Sequence, residues 1–128
     1  MLPWGTEAGV IPKKILLTGG LGFQGFHLAR SWAAMGREVT VLNTPSERAR
    51  RTVARFREYP DIAPRIRIVY GSVADPEIVE KVIPGHEAIV HLAAWASVDV
   101  SLDRPRPALV VNALGTGVLL DQILAVGA

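Results

Sequence analysis

The 128-residue sequence predicts an α/β fold built on a parallel sheet. Short apolar runs of strand length alternate with segments of helical periodicity along most of the chain. The first run ends in a dense glycine stretch, Thr18-Gly19-Gly20-Leu21-Gly22-Phe23-Gln24-Gly25, which leads directly into a helical pattern. Apolar residues make up 49% of the chain and charged residues 20%, enough to bury a core and too apolar for disorder.

The elements follow in order. Residues 1–12 read as a loose leader with Pro3, Gly5, Gly9 and Pro12. Lys13 to Thr18 is a short apolar run of the kind expected from a strand covered on both faces. From Gly22, the residues Phe23, Phe26, Ala29 and Ala33 recur at helical spacing, and Gly36 ends the pattern as a C-terminal cap. Glu38 to Leu42 is a second strand. Thr44 is expected to cap the next helix, with Pro45 at its first position and Glu47 completing a capping box. Ala49, Val53 and Phe56 mark its apolar face, and Tyr59-Pro60 stops it. Arg65 to Tyr70 is the third strand. Asp75-Pro76-Glu77 opens a short helix that ends near Pro84-Gly85. Ala88 to Ala93 is the fourth strand, and Pro107 to Val126 a long last helix. Right-handed crossovers between parallel strands put these four in the order 3-2-1-4. That is a Rossmann-type sheet over residues 13–128, ending before a fifth strand.

Composition excludes several classes of chemistry. Without cysteine there is no disulfide, zinc-thiolate site or thiol nucleophile. His27, His86 and His91 are the only histidines, and none has the companions of a metal site, so no metal is expected. His91 reads as a satisfied, half-buried strand residue. The basic run from Arg48 to Arg67 is interspersed with Glu47, Glu58 and Asp61 and reads as a solvated helix face, with a Glu47–Arg51 surface pair, rather than a nucleic-acid site. Met1 to Pro12 lack a basic start followed by an apolar run, so no secretory signal is expected from them. The apolar window from Ala108 to Val126 is broken by Asn112, Gly115, Thr116, Asp121 and Gln122, so it reads as a buried helix and not a membrane span. A cytoplasmic protein is the expectation.

The glycine stretch satisfies Gly-x-Gly-x-x-Gly through Gly20, Gly22 and Gly25, and Gly-x-x-Gly-x-x-Gly through Gly19, Gly22 and Gly25. Between a strand and a helix, this is the fingerprint of a dinucleotide pyrophosphate site, where helix N–H groups face the anion. Glycines so spaced serve packing poorly otherwise. Phe26 and His27 stand where a triphosphate loop needs Lys and Ser or Thr, so an NTPase is not expected. At the end of the second strand an acidic residue would bind the adenosine ribose of NAD. Asn43 stands there, which leaves NAD and NADP both open. Arg48, Arg50 and Arg51 follow, with a 2′-phosphate contact the lesser of two readings beside a solvated face.

Four stretches together carry a family resemblance: Thr18 to Gly25; Gly71-Ser-Val-Ala-Asp75; His91-Leu-Ala-Ala-Trp-Ala-Ser-Val98 with Ser101; and Asn112-Ala-Leu-Gly-Thr116 followed by Leu119-Leu120. From about Lys13 onward the chain resembles the N-terminal part of an extended short-chain dehydrogenase/reductase, the NAD(P)-dependent epimerase/dehydratase family acting largely on nucleotide sugars. The resemblance implies NAD or NADP as cofactor. It implies that the backbone of Gly19, Gly22, Phe23, Gln24 and Gly25 faces the pyrophosphate and that Asn43 lies at the adenosine ribose. Ser72 and Val73 would flank the adenine. Leu92, Ala93 and Ala94 would line the nicotinamide-side ribose, with Asn112 on the long helix behind and Trp95 at the substrate side.

The family's Tyr-x-x-x-Lys acid–base pair has no counterpart. Tyr59 and Tyr70 are followed four positions on by Ala63 and Ala74, and the only lysines are Lys13, Lys14 and Lys81. No catalytic residue is therefore assigned, and the chain is expected to bind cofactor without being active alone, as a truncated domain. The alternative is a non-catalytic interaction module that keeps the fold and self-associates through the open edge of the fourth strand.

Overall fold

The computed structural model describes residues 11–126, so all but the last two residues of the expected leader lie outside the described residues. Four strands form one parallel sheet in the order β3-β2-β1-β4: β1 (Lys14–Thr18), β2 (Glu38–Asn43), β3 (Ile66–Tyr70) and β4 (Ala88–His91). In register, Thr18 of β1 stands opposite Leu42 of β2 and His91 of β4.

The Ile15–Leu17 centre of β1 is apolar because each face meets a different helical layer. Leu17 joins Val39, Val41, Phe26, Ala29, Ala49 and Phe56 on one side, where α1 (Phe23–Ala34) and α2 (Glu47–Arg57) pack. Its neighbour Leu16 points the other way, to Leu42, Val79, Val82 and Leu119, under α3 (Pro76–Val82) and α6 (Gly115–Ala125). The period-2 alternation of a strand thus produces one continuous apolar run when both faces are covered.

Helix ends follow local chemistry, with one correction. α2 is capped by Ser46, whose hydroxyl accepts the Ala49 N–H at 3.0 Å; Thr44 and Pro45 stay in the preceding loop and Glu47 is the first helical residue. Either hydroxyl could have capped, and the later one leaves Thr44 beside the end of β2. Asp75 caps α3 as expected, accepting from Glu77. Gly36 takes φ +80 just past α1, the left-handed conformation its capping role requires.

Three other expectations change. β4 stops at His91 rather than Ala93: the Leu92 N–H is shared between Thr18 O at 3.0 Å and Thr18 Oγ1 at 3.1 Å, and the Ala93 N–H turns to Thr18 Oγ1 at 3.2 Å. A short helix, α4 (Val98–Asp103), capped by Ser97, precedes the last helical run; its side chains bury little, so no apolar periodicity announced it. That last run begins at Pro105: α5 (Pro105–Leu109) passes through a π-helical turn (Val110–Leu114) into α6. It is not the buried helix expected. Only Ala108, Gly115 and Leu119 are buried, while Leu109, Leu114, Leu120 and Leu124 are exposed. By length and composition alone, with 21 residues and mean hydropathy 1.6, it could cross a membrane. Leu119 nevertheless anchors it in the core beneath the sheet.

Phe26 centres the α1–α2 layer. It is buried, stacks on Phe56 with centroids 5.0 Å apart, and carries the Arg55 guanidinium 3.9 Å above its ring. Phe26→Ala is expected to lower unfolding free energy by about 3–5 kcal/mol, read as a shift of the urea midpoint.

Candidate functional site

The C-terminal ends of the strands open into a cleft of about 410 Å³. It lies where the chain direction diverges, with β2 on one side of β1 and β4 on the other, the place where open parallel sheets bind ligands. Its floor is the glycine turn, from Gly19 through Gly25, including Phe23 and Gln24. One wall is Asn43 and the residues after it; a second is Gly71, Ser72 and Val73; a third is Leu92 to Ala96, including Ala93, Ala94 and Trp95. Sequence reading named eleven of these positions as cofactor contacts, and the fold brings all eleven together. Asn112 alone stands back from the cleft.

The glycines divide into two kinds. Gly19 has φ +72, and a Cβ on it would lie 2.7 Å from the Ala93 nitrogen, inside the backbone of the β4 exit. A Cβ on Gly20 would enter Val41, and one on Gly25 would collide with the backbone of Gly19 and Gly20. Packing therefore requires these three, contrary to the expectation that packing has little use for them. Gly22 is different. Its φ is −82, and an added Cβ would meet nothing closer than Gly19 O at 3.4 Å. The protein itself has room for a side chain there. The space belongs to the cleft.

Above Gly22 stands the amino end of α1, which has no side-chain cap and no acidic residue in its first turn. α2 and α3 by contrast are each capped by an oxygen and carry a glutamate in the first turn. The bare N–H groups and partial positive charge of α1 face the cleft, an arrangement suited to an anion. The wall residues are held to the floor. Asn43 Oδ1 accepts the Leu21 N–H at 3.2 Å, and its amide donates to Thr44 O at 2.9 Å. Ser72 Oγ accepts the Ala74 N–H at 3.1 Å, so its proton remains available to donate.

The third wall is set by Thr18 and His91. Thr18 is fully buried, and its hydroxyl accepts from Leu92 and Ala93. With its lone pairs used, it donates its own proton to His91 Nδ1 at 2.6 Å. His91 Nε2 therefore carries the ring proton and donates to Thr116 Oγ1 at 3.1 Å, which donates onward to Asn112 O at 2.9 Å. The ring is held neutral in one tautomer, and it ties β1, the Leu92–Ala93 turn and α6 together. Asn112 works beside it: its Oδ1 accepts the Trp95 N–H at 2.8 Å and its amide donates to Trp95 O at 3.3 Å. It clamps the cleft loop from behind, in the π-helical turn.

Sequence reading missed the roles of Thr18 and Thr116; Arg48, for which a contact at this site was the lesser reading, is among the cleft-lining residues. Thr18, the polar end of an otherwise apolar strand, was the available signal. The expected Glu47–Arg51 ion pair is absent among the described residues, where Lys14–Glu38 at 3.8 Å is the one salt bridge. No group of His, Cys, Asp or Glu that could hold a metal occurs among them either.

Comparison with known proteins agrees with this geometry. A family model described as GDP-mannose 4,6 dehydratase matches residues 16–128. The dTDP-glucose 4,6-dehydratase of Mycobacterium tuberculosis H37Rv is 34% identical over 112 residues, covering 86% of this chain and 32% of that protein. The Streptomyces niveus dTDP-glucose 4,6-dehydratase is 35% identical over 118 residues, 84% of this chain and 33% of its own. Among solved structures, DesIV, a dTDP-glucose 4,6-dehydratase from Streptomyces venezuelae with NAD and TYD bound, superposes with TM-score 0.78 at 31% identity. That match covers 90% of this chain and 37% of DesIV. The Thermus thermophilus UDP-glucose 4-epimerase complex with NAD gives TM-score 0.71 at 29% identity, covering 89% of this chain and 34% of that one. The chain thus spans about a third of the length of the relatives it matches.

Burial holds the His91 pKa below its ordinary value of 6.5. Protonation would also destroy the acceptor that Thr18 needs. In the unfolded chain the imidazole takes up its proton at about pH 6.5, and in the folded chain only at lower pH. Between the two the unfolded state binds more protons, so stability is full above pH 6.5 and falls as pH drops through the folded value. Urea titrations at pH 7.5 and 5 are expected to show wild type losing more stability on acidification than His91→Gln, which cannot take up that proton.

Proposed function

The chain belongs to the GDP-mannose 4,6-dehydratase family of extended short-chain dehydrogenases/reductases, and on that footing we propose that it binds an NAD(P) dinucleotide in the cleft over its strand ends. One observation carries the reading. Within the turn Gly22 is the glycine that the protein's own packing does not require, and it sits beneath the uncapped end of α1. A pyrophosphate there would receive the N–H groups of the first helical turn, and the absent Cβ would let it come close. Asn43 would meet the adenosine ribose, Ser72 and Val73 the adenine, and the Leu92–Ala94 turn the nicotinamide ribose. The NAD bound to the Streptomyces and Thermus relatives supports this choice of ligand.

When bound, the nicotinamide would supply hydride acceptance from a sugar carbon, and a nucleotide sugar is the substrate class proposed from the relatives. The chain's own part is positioning. Thr18, His91 and Asn112 would fix the turn against which the nicotinamide end lies, and Trp95 would border the substrate side. The 128 residues contain no Tyr-x-x-x-Lys pair, so the proton transfer that accompanies hydride transfer, worth a factor of about 10²–10⁴, is not theirs to provide. Cofactor binding without turnover is the activity proposed for the chain by itself. A cytoplasmic setting is part of the proposal.

Self-association is a second reading, favoured by β4 lying at the open edge of the sheet and by the exposed Leu109, Leu114, Leu120 and Leu124 nearby in sequence. A second copy of the chain is the occupant proposed. Light scattering on a size-exclusion column at about 50 μM should then show a dimer; a monodisperse monomer would sink this reading.

Isothermal titration with NAD⁺ and NADP⁺ tests the first. Wild type should release or take up heat with at least one of them, and Gly22→Val should abolish the signal while keeping its circular dichroism and urea midpoint. Gly25→Val should lose the fold itself. If the folded wild-type chain binds neither dinucleotide at millimolar concentration, cofactor binding is refuted.

A further inference from the structure

The opposite end of the sheet holds a second cavity, of about 300 Å³, at the amino ends of the strands. The length of β2 separates it from the cofactor cleft, about 17 Å from Glu38 to Asn43. Lys14 enters it from β1, Glu38 and Thr40 from β2, and Arg65 and Arg67 from the beginning of β3. Pro84 and His86 close it from the turn between α3 and β4.

Its inner wall is fixed by hydrogen bonds. Thr40 is buried and stands beside Arg67 in the sheet register, so their side chains share one face. The His86 ring lies with Nδ1 at 3.3 Å from Ile83 O and Nε2 at 2.9 Å from Thr40 Oγ1. A carbonyl only accepts, so Nδ1 carries the proton and Nε2 receives the Thr40 hydroxyl. Both ring nitrogens are thereby spent, and the imidazole forms a neutral side to the cavity.

The charge comes from the other residues. Three cations face one carboxylate, and that carboxylate is only loosely engaged: Lys14 Nζ stands 3.8 Å from Glu38 Oε2, with both side chains more than half exposed. Arg65 is steadied by donating to Gly36 O at 3.1 Å. Neither Arg65 nor Arg67 has a carboxylate partner among the described residues. A rim that served only to stay wet would intersperse its signs. This one gathers two unpaired guanidinium forks and an ammonium around a hollow, the donor set that suits a phosphate.

We propose that this cavity binds a small dianionic oxyanion, inorganic phosphate or the phosphate group of a monoester, between Arg65, Arg67 and Lys14. It shares no lining residue with the cofactor cleft, so the site stands whether or not a dinucleotide binds there. Arg65 and Arg67 are thus set apart from the solvated helix face of their basic neighbours in sequence.

Backbone amide resonances of the isotope-labelled chain, followed during titration with inorganic phosphate and with phenyl phosphate at constant ionic strength, report the two ends of the sheet separately. Saturable shifts are expected at residues 38–40, 65–67 and 84–87, with a millimolar Kd. Tighter binding of phenyl phosphate would support the site with an ester as its ligand, and tighter binding of phosphate would support it with the free ion. Any shifts at residues 19–25 belong to the cleft, and Gly22→Val should remove those alone. Arg67→Gln and Lys14→Gln should each weaken binding at the new site roughly 3- to 10-fold. Glu38→Gln, which removes the one carboxylate, should tighten it roughly 2- to 5-fold. Circular dichroism confirms that each variant is folded. The absence of saturable shifts at these residues, an equal response to chloride, equal shifts along the exposed arginines of α2, or weaker binding by Glu38→Gln overturns the proposal.

Discussion

The structure depends on how closely two strand ends can approach. β1 and β4 are neighbours, and at their exits the chain must turn twice in the same small volume. Gly19 has no Cβ because Leu92 and Ala93 occupy that space, and the Thr18 hydroxyl gathers the N–H groups of the same two residues. One missing methyl and one hydroxyl bring the glycine turn and the β4 exit together. The cleft exists between them because both are held in place before any ligand arrives, so little ordering remains to be done on binding.

That junction also explains why His91 is neutral. A threonine hydroxyl that already accepts two N–H bonds has only a proton to offer, and an imidazolium has no acceptor to receive it. The demand passes outward through Thr116 to the α6 backbone. A histidine that looks from sequence like an ordinary strand residue is in fact the bolt between the sheet and the last helix. Its burial and its hydrogen bonds act in the same direction on its proton.

Much of this was legible in the chain because the signals were local or periodic. Four strands, their order and the glycine turn follow from alternating periods and from glycines at fixed offsets, while the wall positions at Ser72, Val73 and Leu92 to Ala94 came from the family resemblance. Three things were not legible, and each for a physical reason. The cap of α2 lay between two hydroxyls two residues apart, which tertiary placement decided. α4 buries almost nothing, so it leaves no apolar period to read. The last helix has a composition that suits a core, but only Ala108, Gly115 and Leu119 find one, and its other apolar residues face outward. Composition reports what a helix could bury, not what is there to cover it.

The two halves of a dehydrogenase's task place different demands on sequence. Holding a dinucleotide is largely backbone work: bare N–H groups at a helix end, a gap above Gly22, a turn of small residues. Such a cradle depends little on the wall side chains Asn43 and Ser72, whose oxygens accept the Leu21 and Ala74 N–H groups. Proton transfer has no such tolerance, since it needs one side chain of suitable pKa at one place. The described residues have the backbone features of the first kind, an uncapped α1 end and open space at Gly22. Arg48 is the one charged residue among those lining the cleft, so its walls carry no carboxylate to repel an anion seated at the α1 end.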